Sequence, residues 1–160
     1  MAYKITTAMS EAMLAAFTNE MDLGFLFLFS GAVPADASAA LNMATTHTQV
    51  AKLTVDDDGT TGLSFGTPSG DAVGKAVDVW EATIAFDGFE DGETTLAPTF
   101  FRFCPPADNG RASASTPRLQ GTVGGPLSTA DMRLVSDTVT ANGTNTLTCA
   151  LFNFRLTGLG

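Results

Sequence analysis

Between Gly24 and Ser30 the chain reads Gly-Phe-Leu-Phe-Leu-Phe-Ser, with a large apolar side chain at every interior position. Successive side chains of a strand point to opposite faces, so this run is apolar on both. Such a strand has to be covered twice, by its own chain or by another. It is far shorter than the roughly 20 apolar residues a helix needs to span a bilayer, and no other run reaches that length. The N-terminal stretch has one Lys followed by an amphipathic segment and lacks the central apolar block of a secretory signal. We therefore expect no membrane partner.

The rest of the chain reads as strands and turns around that segment. With 160 residues it has the size of a single domain, 1–160. Met9, Ala12, Met13, Ala16 and Phe17 recur at spacings of three and four after Thr6 and Thr7, which predicts an N-terminal amphipathic helix over 6–18. Gly31 to Asp36 is a turn, and Asp36 or Ser38 can cap a helical turn through Leu41 and Met43. Strands follow at Thr46–Val55, which stops at Asp56-Asp57-Asp58-Gly59, at Trp80–Phe86, and at Phe100–Cys104. Leu119–Val123, Met132–Val135 and Thr146–Leu156 complete the set, and Asn142-Gly143 marks a hairpin between apolar runs. Short strands punctuated by Gly, Pro and Asn predict an all-β fold, a single-domain β-sandwich or jelly roll over 23–160 with one short N-terminal helix.

Composition narrows the function. Only 16% of residues are charged, against about 25% in a usual soluble domain, so part of the surface is expected to be covered by other protein. The net charge is −9 with eight Lys and Arg in total, which argues against direct contact with nucleic acid. Cys104 and Cys149 are too far apart for a metal-ligand spacing; they read as buried thiols or as one bridge. His47 is the only histidine, flanked by threonines. There is no phosphate-binding glycine-rich run ending in Lys. We expect no enzymatic activity, no cofactor and no resident metal. The acidic groups Asp56–Asp58 and Asp87–Glu93 read as solvated turns or as calcium loops, although the first lacks the ligand alternation of an EF-hand.

Charge is unevenly distributed. Residues 56–93 hold ten of the seventeen acidic residues, whereas 94–160 hold five Arg against three Asp. These halves can pair between copies or within one fold. Arg favours interfaces through its forked bonds to carboxylates, so Arg102, Arg118 and Arg133, with Phe25, Phe27 and Phe29 of the two-faced run, are the interface candidates. Pro117 and Gly121 frame Arg118, which points to a structural contact for its guanidinium. The same apolar run leads us to expect a symmetric homo-oligomer, such as a trimer.

Several pieces, taken in order, carry a resemblance. They are the helix Thr7–Phe17, Phe29-Ser30-Gly31-Ala32-Val33-Pro34-Ala35, Lys75–Ala82 with Trp80, Phe101-Arg102-Phe103, and Thr116-Pro117-Arg118-Leu119-Gln120-Gly121-Thr122-Val123-Gly124. Together they resemble a group of short β-rich structural proteins of tailed-phage virions, of the head decoration or minor virion protein type. The acidic stretch Asp87–Glu93 departs from that pattern. The resemblance implies a virion location after synthesis in the cytoplasm of a bacterial host, and it carries over no catalytic residue. Its implied partners are other copies of the chain and other virion proteins, the major capsid protein or neck and tail proteins. A capsid decoration (cement) protein is the favoured form, with a neck, collar or tail component, or a carbohydrate-binding or adhesin module, as alternatives.

Overall fold

The computed structural model of the protein describes residues 4–74, 80–83, 95–135, 138–140, 146–149 and 153–155. Helix α1 spans Thr7–Met21 and is followed by β1 (Phe25–Gly31), β2 (His47–Val55), β3 (Ala72–Gly74) and β4 (Trp80–Thr83). Then come β5 (Thr95–Leu96), β6 (Phe100–Cys104), β7 (Leu119–Gly124) and β8 (Met132–Arg133). Strands β9 (Val139–Thr140), β10 (Thr146–Cys149) and β11 (Asn153–Arg155) complete the described elements. The described residues are mostly β with one helix. Its main sheet has seven strands in the order β10-β4-β2-β1-β6-β7-β8, and β11–β3 and β5–β9 form two-stranded ribbons. No described helix is long and apolar enough to cross a membrane.

β1 is the central strand of the main sheet, flanked by β2 and β6, and its own chain covers both of its faces. Leu26 and Leu28 point into a core shared with Leu53, Leu63, Phe101 and Phe103, onto which Met21 and Phe17 of α1 pack. Phe27 and Phe29 point the other way, into a second cluster with Phe100 and Cys104 that is covered by Leu41 and Met43. A register shift between Leu28 and Phe29 leaves Val50 without its own partner. That bulge lets Val50 and Ala51 both join the first core, although alternation would send one of them away.

α1 differs from the helix read over 6–18. It runs on to Met21, with the Thr6 hydroxyl accepting from Met9 N at 3.3 Å as the N-cap. Its buried side is Ser10, Leu14 and Met21, with Phe17 half-buried. Met9 is 54% and Met13 44% exposed, and Ala12 and Ala16 are exposed too. The 3–4 spacing fits two stripes of one helix, and the stripe that adds Leu14 and Met21 buries more apolar area. Phe17, which can share a face with either stripe, stacks on Phe154 of β11 at 4.3 Å between centroids and meets Phe65 edge-on. Past the helix, Gly24 lies so close to β6 that a Cβ there would stand 2.2 Å from the Cys104 carbonyl oxygen.

Other expectations change as well. Asp36 does cap a turn, accepting from Ser38 N and Ala39 N at 2.9 Å each, but no helix follows it. β8 runs parallel to β7, so the sheet is mixed; Asp131 brings the chain back by accepting from Thr122 N at 2.9 Å and from its hydroxyl at 2.8 Å. The Asn142-Gly143 turn lies outside the described residues. Of the described strands on either side of it, β9 pairs with β5 and β10 with β4. The run read as Thr146–Leu156 is divided between β10 and β11, which belong to different sheets. Residues 84–94, with the Asp87–Glu93 group, also lie outside the described set.

Candidate functional site: a loop layer held by two buried arginines

Alternation along β6 puts Phe100, Arg102 and Cys104 on one face and Phe101 and Phe103 on the other. Arg102 stands directly opposite Phe27 in the β1–β6 ladder, a guanidinium within an aromatic surface. It is fully buried. Taking an ion out of water costs several kcal/mol, so the group is tolerated only if its donors find acceptors. Nε donates to Gln120 Oε1 at 2.9 Å and Nη1 to the Gly110 carbonyl at 2.7 Å. Nη2 donates to the carbonyls of Ala39 at 2.9 Å and Asp36 at 3.3 Å. Gln120, its partner in the β6–β7 ladder, donates in turn to the Pro34 carbonyl at 3.0 Å. Two loops, 32–46 and 105–118, are thereby held on the sheet through their main chains. Burial pulls the Arg102 pKa down, with the Arg118 charge adding to it, yet a guanidinium starts so high that it stays charged.

Arg118 is the second clamp. Its side chain is 1% exposed and that of Asp108 6%. The pair is forked, Nε to Oδ2 at 2.5 Å and Nη2 to Oδ1 at 2.6 Å, while Nη1 reaches the Ala37 carbonyl at 3.3 Å. Burial works against the Asp108 carboxylate, but the bonds from Arg118 and from Gly110 N outweigh it and hold its pKa below the ordinary value. The bond to Asp108 raises the Arg118 pKa. Gly110, at φ +73°, lets the 105–111 backbone lie flat on the aromatic cluster, since a Cβ there would sit 3.2 Å from the Phe27 ring. Leu41 N donates to the Arg111 carbonyl at 2.8 Å and joins the two loops. Beneath them Cys104 is a free buried thiol whose pKa is pushed up to about 12, by burial first and then by the Asp108 charge. At that value it is not a thiolate nucleophile.

His47 closes the base of the 32–46 loop. Nε2 lies 3.0 Å from the Ala32 carbonyl and Nδ1 3.1 Å from Asn42 N, with the ring edge-on to Phe100. Asp58 is also engaged locally: its carboxylate accepts from Thr60 N at 2.8 Å, from Thr61 N at 2.6 Å and from the Thr61 hydroxyl. These bonds, the Thr61 hydroxyl first, hold its pKa near 2 and stabilise a turn in which Asp56 and Asp57 have positive φ. Among the described residues no three His, Cys, Asp or Glu side chains come together as a metal site. A shallow recess of about 250 Å³ is lined by Asp108, Asn109, Ser113 and Thr116, and its carboxylate is the one that Arg118 holds.

Four of the six interface candidates face inward. Phe27 and Phe29 lie in the aromatic cluster, and Arg102 and Arg118 hold the loops above it. They are unavailable to a partner because the chain folds its own loops over them. Arg118 pairs with Asp108, ten residues away in sequence, and not with the acidic 56–93 segment. Phe25 is half-buried under the Lys52 ammonium, 3.7 Å from its ring centroid, and Arg133 is exposed on β8. Gln120, Asp108 and Gly110 were not singled out in sequence. The usable signal was the pattern at Arg102, whose neighbours two positions away are Phe100 and Cys104; an Arg between two apolar residues of one strand face is a buried Arg in need of acceptors. No protein-family model, curated protein or solved structure matches the chain.

Proposed function

We propose that this chain is a non-enzymatic structural protein of a tailed-phage virion, a capsid decoration protein that binds the shell through protein–protein contacts beside further copies of itself. One observation carries the reading. Three of the separated pieces on which the resemblance rests meet at a single place in the fold. Phe29–Ala35 leads into the loop that Gln120 and the arginines hold, Phe101-Arg102-Phe103 supplies the first clamp, and Thr116–Gly124 supplies Arg118 and Gln120. The pattern they share thus has a mechanical purpose, to keep a loop layer on a sheet, and its polar groups are committed to that purpose. A decoration protein needs such a surface, firm and poor in charge, because many modest contacts add through multivalency.

The sandwich or jelly-roll form belongs to the same proposal. Its support is that Leu96 and Val139, from the β5–β9 ribbon, pack on the same side of the main sheet as α1 and offer the start of a second layer. A sugar-binding module is less well supported, since sugar rings stack on exposed aromatics. The exposed large apolar side chains among the described residues are Met9, Met13, Leu23, Val33, Leu127 and Val135. The test is the stoichiometry of this chain against the major capsid protein in purified particles. Hundreds of copies are expected for a shell protein; roughly a dozen or fewer would move it to a symmetric neck or tail ring. Its absence from particles would overturn the proposal.

A further inference from the structure

His47 is the sequence's one histidine, and its two ring nitrogens hold the two ends of the 32–46 loop. A backbone N–H can only donate, so the Asn42 amide, 3.1 Å from Nδ1, makes that nitrogen the acceptor. The neutral ring therefore carries its proton on Nε2 and donates it to the Ala32 carbonyl at 3.0 Å. The Thr46 hydroxyl lies 2.9 Å from the same Nδ1, and a hydroxyl can accept as well as donate.

We propose that His47 is a proton-operated latch of the 32–46 loop: the neutral ring ties Asn42 to Ala32, and the protonated ring turns its new Nδ1–H to Thr46 and releases Asn42. The proton comes from solvent, and no covalent bond other than the new N–H changes. Once Nδ1 carries hydrogen, two donors face each other across the Asn42 contact and the amide loses its acceptor. The bond from Nε2 to Ala32 survives in both states. Arg102 and Arg118 still hold residues 36–39, Leu41 N still donates to the Arg111 carbonyl, and the Asn42 carbonyl still accepts from Thr46 N and His47 N, so the change is confined to the Asn42 amide, between Leu41 and Met43 that pack on the aromatic cluster.

The groups facing the ring are few. They are the Ala32 carbonyl after β1, the Asn42 amide and Thr46 hydroxyl of the loop, and the Phe100 ring of β6, 5.9 Å away and perpendicular. None is charged, and among the described residues His47 forms no ion pair. The carboxylates that shape the two loops are Asp36 and Asp108. Asp36 is held below the ordinary range chiefly by the Ser38 hydroxyl, and Asp108 by Arg118 and Gly110 against the effect of burial. Both stay ionised at about pH 5 and above.

The experiment is amide exchange and ring nitrogen-15 NMR on the isolated protein, so it does not depend on the virion reading. Between about pH 7.5 and 5, after correction for intrinsic exchange, Asn42 protection is expected to fall about fivefold, the worth of one ordinary hydrogen bond. At the upper pH the ring should show the Nε2–H tautomer. In His47→Gln, which cannot titrate, Asn42 protection should be flat with pH; in Thr46→Val, which removes the acceptor for the new proton, the change should move to lower pH. Asn42 protection that ignores pH in the wild type, an equal change in His47→Gln, or a neutral ring with its proton on Nδ1 would each overturn the latch.

Discussion

Deleting the Arg118 guanidinium would leave the Asp108 carboxylate, 6% exposed, without its charged partner, with only the backbone amides of Gly110 and Asn109 against it among the partners described. Breaking a buried pair from one side typically costs about 3–5 kcal/mol, against about 0–1 for an exposed pair. Arg118→Ala is therefore expected to lower the unfolding free energy by about 3–5 kcal/mol in a urea titration at neutral pH. The pH dependence follows from Asp108, whose native pKa lies below its unfolded value. Its contribution is complete above the unfolded pKa of about 3.9 and is lost as the pH falls through the native value. The gap between wild type and Arg118→Ala should narrow below about pH 4 in the same titration; a gap that widens there would contradict the assignment. At this scale the sequence did reveal that Arg118 makes a structural contact, through the framing by Pro117 and Gly121. Its partner was not legible, because Asp108 reaches it only after the 105–118 loop folds back over β6.

Elements show where local pattern suffices and where it fails. β1, β2, β6 and β7 were legible because alternation and bounding turns are local properties of the chain. α1 was legible as a helix but not in its facing, since Met9–Met13–Phe17 and Ser10–Leu14–Met21 are both acceptable stripes until something packs on one of them. The difference is testable. Leu14→Ala, at a fully buried position, should cost about 2–5 kcal/mol. Met13→Ala, at a position 44% exposed, should stay within about 0.5 kcal/mol of wild type. The reverse order in thermal unfolding would restore the Met stripe as the packed face. The parallel β8 and the separate partners of β9 and β10 were illegible for another reason: they depend on which strand edge is free once the sheet exists.

For the whole molecule, the decisive fact is that a strand apolar on both faces is covered by its own chain, with α1 and the Leu63 segment on one side and two clamped loops on the other. The case for self-association that rested on β1 loses that support. Exposed Met9, Met13, Leu23, Val33, Leu127 and Val135, with Arg133 on an outer strand, are what the described surface offers a partner. The second cover depends on Arg102, because loops of small residues such as Ala35, Ala37, Ser38 and Ala39 bury too little apolar area to hold themselves down. The most direct test is the equilibrium unfolding free energy of Arg102→Met, a substitution of similar length that keeps the apolar stem and removes the donors. It leaves Gln120 and the carbonyls of Gly110 and Ala39 without their partner, each at about 1–3 kcal/mol, so a loss of about 3 kcal/mol or more is predicted. A stability within about 0.5 kcal/mol of wild type, the range of an ordinary surface substitution, would contradict the account that Arg102 holds the loop layer in place.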